Sequence, residues 1–558
     1  MRPPILHLAV FLSSLPFVIS DDGPLLKTHI GTFEGKTLEF GEAGNVDAFY
    51  GVPYAKPPLA ERRFEKPAEA EFVARRPAVE PKLACPQTTV AIFPPQETSE
   101  DCLYLDVFKP PTPSEDGKGR PLLVFVHGGG FQGGSAHHHS TPFFAKTIAG
   151  NGAVLINVQY RLGVLGFAST GPESFPGNYG LWDLRKALLW IRKNAKELDV
   201  DPKRITLGGY SAGSAAVGML TISEQTRDLF QQAIQMSGSP FAEWATSNKA
   251  VLLTEKVATH LGCNEQSSTE VKRCLKKKTV KELLDAFEVV RDPNDFNLGQ
   301  FSPRLDADFF TADYPQLIES GPPKRSLFTI TENEGILFTL HGSMNMFNEH
   351  SLTEEQKANF GAKDFKEFVR TKLATEAIFS EKAADVQKKL LKFYLDSDDR
   401  QKDRHFYLEQ YAKLISDILF VVPQLLEVRH KTASGWPIFM TKHTHHVPMI
   451  DFSTGQLATH SLKDSTHGCE YGLLFGTNFN SLNNSKEDEQ TPKTADSPHF
   501  AEVTAKRPLV YSEIGAEIRL RDGLFAAELQ FYDRLNKDHE FDLIRGIHKK
   551  TLRSRTEL

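Results

Sequence analysis

The stretch Gly209-Tyr210-Ser211-Ala212-Gly213 decides how this chain folds. It lies between the apolar run 205–207 and the small-residue run 214–220, a pattern that predicts a strand, a sharp turn and a helix. Glycines on both sides of Ser211 allow the helix to pack against the strand without a collision of side chains. The pattern G-x-S-x-G therefore indicates a nucleophile elbow with Ser211 at its apex, although the same letters also occur in ordinary glycine-rich turns.

A second glycine-rich turn lies upstream, in His127-Gly128-Gly129-Gly130-Phe131. It follows the run 122–126, whose apolar and β-branched residues predict a buried strand. Successive glycines leave backbone N–H groups unshielded by side chains, and an oxyanion needs such donors. We therefore expect the N–H groups of Gly129, Gly130 and Ala212 to form an oxyanion hole.

An acid and a histidine follow the elbow at wide spacing. Glu334 lies just past the apolar stretch 326–330, and His467 lies in Thr466-His467-Gly468-Cys469-Glu470. Serine, acid and histidine in this order along the chain are typical of the α/β-hydrolase fold. We therefore predict that Ser211, Glu334 and His467 form a catalytic triad.

Together these motifs resemble those of the type-B carboxylesterase family, which also contains the cholinesterases and the non-catalytic neuroligins. The resemblance implies an α/β-hydrolase fold, with a mainly parallel central sheet and helices on both faces. In character the chain is most similar to the lumenal carboxylesterases of this family. Besides the elbow and the triple glycine, the matching stretches are 49–55 (FYGVPYA), 100–108 (EDCLYLDVF), 159–167 (QYRLGVLGF), 331–335 (TENEG) and 467–476 (HGCEYGLLFG).

The resemblance also separates the acid and the base from their rivals. Asp306 and Asp308 match a family segment that is structural, whereas Glu334 matches the segment that carries the acid. His467 alone is followed by the Gly-x-Glu-x-Gly-x-x-Phe-Gly context of the family. The other candidates for the base are His443, His445 and His446.

Three consecutive histidines at 137–139 raise the question of a metal site. Neighbouring residues in a loop rarely point at one ion, and no Asp or Glu with ligand spacing accompanies them. We interpret this stretch as a solvated loop or a loop at the rim of the gorge, and we expect no metal site.

The resemblance implies a serine carboxylic-ester hydrolase that acts on small-molecule esters through an acyl-enzyme, without a metal or cofactor. Two alternatives remain open: a cholinesterase-like enzyme, and a catalytically impaired member of the same fold that binds lipids or esters. Cholinesterases have a glutamate before the nucleophile, whereas this chain has Tyr210, which is neutral at pH 7. Cys469 is a rival nucleophile, but the elbow and the triple glycine belong to Ser211.

Length and charge describe an ordinary acidic enzyme of 558 residues with a net charge of −6. No linker-like composition interrupts the chain before its last fifth, so we interpret residues 21–554 as a single α/β-hydrolase domain. The basic residues are dispersed along the chain rather than massed in one tract. We therefore expect no nucleic acid partner.

Both ends of the chain resemble targeting signals. Residues 1–20 contain a basic residue, a short apolar run and small residues, the pattern of a secretory signal peptide. That run is shorter than the roughly 20 residues of a membrane span, and we expect no span elsewhere. Residues 555–558 (RTEL) resemble a KDEL-type signal that a retrieval receptor reads. We therefore expect residence in the lumen of the endoplasmic reticulum, with secretion as the alternative.

The cysteine spacing predicts two short loops closed by disulfides, as an oxidising lumen permits. Cys85 would pair with Cys102, and Cys263 with Cys274, which leaves Cys469 as the odd thiol.

One stretch departs from the family pattern. Residues 483–498 are rich in charge and low in apolar side chains, which predicts a flexible connector. The departure removes no triad residue, but it leaves open whether this form of the chain folds and works like its relatives. Asn483, in the sequon Asn483-Asn484-Ser485, is the predicted glycosylation site.

Overall fold

A computed structural model of the protein describes most of the chain. The predicted signal peptide 1–20, the connector 483–498 with Asn483, and the retrieval signal 555–558 lie outside the described residues, as do His445 and His446. The described residues are 23–41, 44–88, 97–139, 141–292, 296, 300–340, 350–396, 402–444, 450–451, 456–457, 465–470, 501–503, 510–514 and 518–548.

Strands and helices alternate through the middle of the chain. The strands are β1 (Leu25–Thr28), β2 (Gly31–Glu34), β3 (Lys36–Glu39), β4 (Asn45–Pro53), β5 (Val73–Pro77), β6 (Tyr104–Lys109), β7 (Arg120–Val126), β8 (Val154–Val158), β9 (Val200–Tyr210), β10 (Gln232–Met236), β11 (Arg325–Thr331), β12 (Ile438–His443), β13 (Ile450–Asp451), β14 (Gln456–Leu457), β15 (Ala501–Val503), β16 (Tyr511–Ile514), β17 (Ile518–Arg521), β18 (Phe541–Asp542) and β19 (Ile547–His548).

The helices lie mostly between and after the central strands. They are α1 (Pro142–Ile148), α2 (Gly163–Phe167), α3 (Tyr179–Lys193), α4 (Ala212–Ile222), α5 (Lys249–His260), α6 (Ser268–Lys276), α7 (Val280–Val290), α8 (Tyr314–Ser320), α9 (Ile336–Thr339), α10 (Glu354–Asn359), α11 (Ala362–Phe368), α12 (Glu376–Phe379), α13 (Ala383–Leu391), α14 (Arg404–Ser416), α15 (Val422–Ala433) and α16 (Ala526–His539).

The central sheet has the strand order β17-β16-β12-β11-β10-β9-β7-β8-β6-β4-β3, and β15 pairs with the start of β12. In this order, the strands from β16 to β8 are each parallel to their neighbours within that range. The pairs outside the range, at both ends of the sheet, are antiparallel. The carboxyl ends of the parallel strands meet at one edge of the sheet, where such folds bind their ligands. The residues that follow β7, β9, β10 and β11 are therefore brought together.

Alternate residues of β7 show how the two faces of the sheet are covered. Leu122 and Val124 belong to the large core that contains the buried side chains of α3 and α4. Leu123 and Phe125 belong to a second core, in which Phe144 of α1 packs edge-on against Phe125. Strand residues point to opposite faces in turn, so helices cover both faces. The predicted mainly parallel sheet with helices on both faces is confirmed.

The N-terminal strands are divided between two sheets. Strands β1 and β2 pair with each other and with β5 in a separate small sheet, whereas β3 and β4 form the edge of the central sheet.

Both predicted disulfides are present, between Cys85 and Cys102 and between Cys263 and Cys274. Cys469 is a buried thiol outside both of them. Within the part of the chain that the structure describes, none of the helices is both long enough and apolar enough to cross a membrane.

Candidate active site

Ser211 stands at a sharp turn between β9 and α4, as the elbow motif predicts. Its backbone has φ 57° and ψ −122°, a conformation that costs an L-residue about 1–3 kcal/mol. The close approach of strand and helix explains the glycines: a Cβ on Gly209 would lie 2.4 Å from Gly213, and one on Gly213 would lie 2.0 Å from the carbonyl oxygen of Val126. The N–H of Ser211 donates to the carbonyl of Met236 at 2.8 Å and so ties the turn to β10.

The three residues predicted to act together lie within hydrogen-bonding distance of one another. His467 Nε2 is 3.0 Å from Ser211 Oγ, and His467 Nδ1 is 2.6 Å from Glu334 Oε2. The side chains are buried, with 9% of Ser211, 3% of His467 and none of Glu334 exposed. When Nδ1 donates to the carboxylate, Nε2 is left to accept a proton, so this arrangement can deprotonate the serine hydroxyl.

The two carboxylate oxygens of Glu334 face different partners. Oε2 faces His467, whereas Oε1 accepts the N–H of Thr331 and the hydroxyl of Ser237, each at 2.7 Å. Burial raises the pKa of Glu334, but the hydrogen bond and charge of His467, with the two donors at Oε1, outweigh burial and hold that pKa below its usual value. Glu334 is therefore ionised at neutral pH and stabilises a positive charge on the imidazole.

Ser237 and Glu470 extend this line of hydrogen bonds. Glu470 belongs to the motif that follows His467, but the sequence predicted no role for either residue. Ser237 Oγ contacts both Glu334 Oε1 and Glu470 Oε1. A hydroxyl has one hydrogen and cannot donate to both carboxylates, so Glu470 carries a proton and donates it to Ser237. Burial, and then the charge of Glu334, raise the pKa of Glu470 to about 8, which agrees with this assignment. Glu470 Oε2 is buried without a hydrogen-bond partner among the described residues.

The proton on Glu470 gives a prediction for the pH dependence of stability. Folding raises the pKa of Glu470 from 4.5 to about 8. The protonated carboxyl therefore stabilises the folded state fully below pH 4.5, and this stabilisation is lost as the pH rises through about 8. Glutamine is neutral and can donate to Ser237 at every pH. We therefore expect Glu470→Gln to raise Tm by several degrees relative to wild type at about pH 9, but to change it little at about pH 5.

Thermal unfolding of both proteins across this pH range measures the effect. Glu332→Gln is the control, because Glu332 is partly exposed and pairs with Lys442 at 3.0 Å. A Tm difference between Glu470→Gln and wild type that is the same at both ends of the range would contradict the protonated state of Glu470.

Three aromatic rings pack around the imidazole of His467. The centroid distances to that ring are 4.9 Å from Tyr210, 5.1 Å from Phe338 and 4.5 Å from Phe420. Phe420 lies in the π-helical turn Asp417–Val421, which joins α14 to α15. Such a widened turn changes the direction of the following side chains and often occurs at functional sites. The rings restrict the orientation of the imidazole and exclude water from its faces.

The glycine-rich turn after β7 lies directly against Ser211. A Cβ on Gly128 would lie 2.9 Å from the Cβ of Ser211. Gly129 and Gly130 have φ values of 111° and 61°, which side chains disfavour. Among the described loops and turns, no hydrogen bond uses the N–H of Gly129, Gly130 or Ala212. These donors are available to a negatively charged oxygen bound beside Ser211.

The predicted rivals for the acid lie elsewhere and have other partners. Asp306 accepts the N–H of Phe309 and the side-chain amide of Asn178, each at 2.8 Å, so it holds loops together. Asp308 pairs with Lys66 at 2.8 Å near the surface.

The other histidines and Cys469 lie outside the line of contacts that runs from Ser211 through His467 to Glu334. His443 lies in β12, and burial lowers its pKa to about 4. Of the two alternatives for residues 137–139, burial contradicts the solvated loop at His139, which is 5% exposed and whose pKa burial lowers well below its usual value. The loop at the rim of the gorge stays a prediction. Cys469 Sγ accepts the N–H of Thr466 at 3.4 Å.

Among the described residues, no group of three or more His, Cys, Asp or Glu side chains could hold a metal ion.

A serine elbow on a central parallel strand, with an acid and a histidine following in chain order, defines an α/β-hydrolase. The sequence profile of the Carboxylesterase family matches residues 22–495. The chain belongs to this family.

Relatives within the family include both esterases and neuroligins. Neuroligins lack catalytic activity, so family membership leaves catalysis to be argued from the site. Similar proteins are gut esterase 1 of Caenorhabditis briggsae, 30% identical over 551 residues (95% of this chain and 96% of the relative); acetylcholinesterase of Danio rerio, 30% identical over 525 residues (87% and 80%); and neuroligin-2 of Rattus norvegicus, 29% identical over 496 residues (81% and 56%).

Proposed function

We propose that this protein is a serine carboxylic-ester hydrolase that works through an acyl-enzyme. The observation that carries the proposal is the line of short contacts from Ser211 through His467 to Glu334, all three of them buried at one edge of the sheet. Membership of a family of carboxylic-ester hydrolases supports it.

In the first half of the reaction, Ser211 Oγ attacks the carbonyl carbon of the ester while His467 Nε2 takes the hydroxyl proton. The charge of Glu334 stabilises the imidazolium and holds the Nδ1–H tautomer. The rings of Tyr210, Phe338 and Phe420 keep the imidazole in place during this transfer.

The carbonyl oxygen becomes negatively charged as the new bond forms. The N–H groups of Gly129, Gly130 and Ala212 stabilise that charge by donating hydrogen bonds to it. His467 then gives its proton to the leaving alcohol. Water hydrolyses the acyl-enzyme by the same steps in reverse and releases the carboxylic acid.

The residue before the nucleophile favours neutral esters over choline esters. Burial raises the pKa of Tyr210 well above its usual value, and the carboxylates of Glu470 and Glu334 raise it further, because both are ionised at the high pH where a phenol loses its proton. The phenol is therefore uncharged and offers no negative side chain at the position where cholinesterases have a glutamate.

The test is a panel of p-nitrophenyl esters of increasing acyl length, assayed beside a choline thioester. We expect turnover of the neutral esters and slower turnover of the choline ester. An organophosphate should attach to the peptide that contains Ser211, as measured by mass spectrometry. A chain that hydrolyses no ester and takes up no organophosphate would be a non-catalytic member of the family, and the proposal would be wrong.

We also propose that the enzyme resides in the lumen of the endoplasmic reticulum. The support is the signal-peptide pattern of residues 1–20 and the similarity of residues 555–558 to a retrieval signal.

Deletion of residues 555–558 should move the esterase into the medium. In this proposal residues 555–558 serve only as a signal for the receptor, so we expect the activity per molecule to stay the same. Cell-retained and secreted activity are compared for the full-length and truncated chains. Secretion of most of the full-length protein would show that this ending is not read.

A further inference from the structure

The oxyanion hole of the proposed reaction depends on the direction of two peptide groups in the turn after β7. The N–H of Gly129 belongs to the same peptide unit as the carbonyl of Gly128, and the N–H of Gly130 belongs to the same unit as the carbonyl of Gly129. A peptide unit is planar and trans, so its C=O and its N–H point in opposite directions. A contact that holds the carbonyl oxygen therefore also fixes the direction of the N–H.

The carbonyl of Gly129 is held by the backbone. It accepts the N–H groups of Gln132 and Gly133, each at 3.0 Å, and these hydrogen bonds close the turn. The direction of the Gly130 N–H is therefore set by main-chain hydrogen bonds.

The carbonyl of Gly128 is held by a side chain instead. Among the described loops and turns, no backbone N–H donates to this oxygen, whereas Nδ1 of His127 lies 2.9 Å from it. A carbonyl oxygen only accepts, so Nδ1 carries the proton of the imidazole. Nε2 of His127 is buried and has no hydrogen-bond partner among the described residues, so no acceptor in this part of the chain favours the other tautomer.

The imidazole of His127 is neutral and held in one orientation. Burial lowers its pKa to about 3; the hydrogen bond to Gly128 opposes this effect, and the nearby His138 and His137 add to it. The ring stacks on that of Tyr160 with the centroids 4.5 Å apart, and the Tyr160 hydroxyl donates to the carbonyl of His127 at 3.0 Å. A neutral ring fixed in this way keeps Nδ1–H directed at the carbonyl of Gly128.

The chain on the other side of this contact is also tied down. A Cβ on Gly134 would lie 2.5 Å from the carbonyl oxygen of Gly128 and 2.8 Å from His127 Nδ1, so the backbone there packs tightly against both. The side-chain amide of Gln87, in the loop closed by the first disulfide, accepts the N–H of Gly134 at 2.8 Å and donates to its carbonyl at 3.0 Å. The imidazole and the carbonyl therefore have little room to separate.

We propose that His127 is a positioning residue of the oxyanion hole. Its Nδ1–H holds the carbonyl of Gly128 and thereby directs the N–H of Gly129 at the oxygen bound beside Ser211. The inference deepens the proposed function and rests on it. The role requires the hydrogen-bond donor, whereas a role in packing alone requires only the ring.

Two substitutions separate the donor from the ring. His127→Phe keeps a ring that can stack on Tyr160 but has no donor, whereas His127→Asn has no ring but keeps an N–H near the position of Nδ1. We expect His127→Phe to lower kcat on p-nitrophenyl butyrate by about 30- to 100-fold with KM almost unchanged, because the oxyanion forms only after binding. We expect His127→Asn to stay within about fivefold of wild type.

Inhibition by a trifluoromethyl ketone gives a second readout. Ser211 Oγ adds to its carbonyl carbon, His467 takes the hydroxyl proton, and the carbonyl oxygen becomes an oxyanion that stays bound. The inhibition constant should rise in His127→Phe by about the same factor as kcat falls, and should change little in His127→Asn. Tm shows whether each variant is folded. If His127→Phe does not fold, His127→Gln replaces it, because the glutamine amide lies near Nε2 rather than Nδ1.

A loss of kcat below about fivefold in His127→Phe, or in its replacement, would overturn the proposal. Equal losses in His127→Phe and His127→Asn would also overturn it, because the ring rather than the donor would then be required. Wild-type protein that hydrolyses no ester would instead refute the proposed function, and the role of His127 with it.

Discussion

Ser211→Ala should lower ester hydrolysis by about 10⁴-fold or more, because the proposed reaction has no other nucleophile. His467→Ala should have a similar effect, and the double variant should be no worse than either single one. The reason is that a base without its nucleophile, or a nucleophile without its base, contributes almost nothing. The measurement is kcat/KM on a p-nitrophenyl ester, with Tm recorded to show that each variant is folded.

Cys469→Ser is the control for this experiment. The thiol is buried two residues after His467 and is the rival nucleophile that the sequence offers. Exchange of sulfur for oxygen keeps its shape and its contact with Thr466, so most of the activity should remain. Residual activity above about 1% in Ser211→Ala, or an equal loss in Cys469→Ser, would contradict the assignment of the nucleophile.

The sequence was sufficient to predict the mainly parallel sheet and the edge where the site lies. Motifs mark the residues after β7, β9 and β11, and the carboxyl ends of neighbouring parallel strands must meet. The elbow is also readable, because only glycine fits at the two positions that flank Ser211 so closely.

Ser237 could not be predicted, because its role depends on strand register. Met236 lies opposite Tyr210 in the pairing of β9 with β10, so the residue that follows Met236 comes next to the elbow. That register is a property of the folded sheet. The sequence offered two weaker signals. Ser237 is a polar residue directly after β10, and Glu470 is a carboxyl residue three positions after His467.

The aromatic packing on His467 also could not be predicted from the sequence, for a different reason. Phe420 reaches the imidazole from a π-helical turn between α14 and α15, and the added residue shifts the helical repeat on which sequence periodicity relies.

Glu334→Gln should lower kcat/KM by about 10⁴-fold, although it changes a single atom of the side chain. Oε1 of Glu334 accepts two hydrogen bonds, from the N–H of Thr331 and the hydroxyl of Ser237. The amide oxygen of glutamine must take this position, because an NH₂ group there would face two donors. The NH₂ group is then directed at His467 Nδ1 and makes that nitrogen an acceptor.

The proton of the imidazole consequently moves to Nε2. This nitrogen then faces Ser211 already protonated and cannot accept the hydroxyl proton. Nitrogen-15 NMR of labelled histidine should show the change of tautomer alongside the loss of rate. Glu332→Gln is the matched control, since this carboxylate lies two residues away, pairs with Lys442 and is 37% exposed, and it should leave the rate unchanged. If Glu334→Gln lost less than about 100-fold, or kept the proton on Nδ1, the carboxylate would not be the group that orients His467.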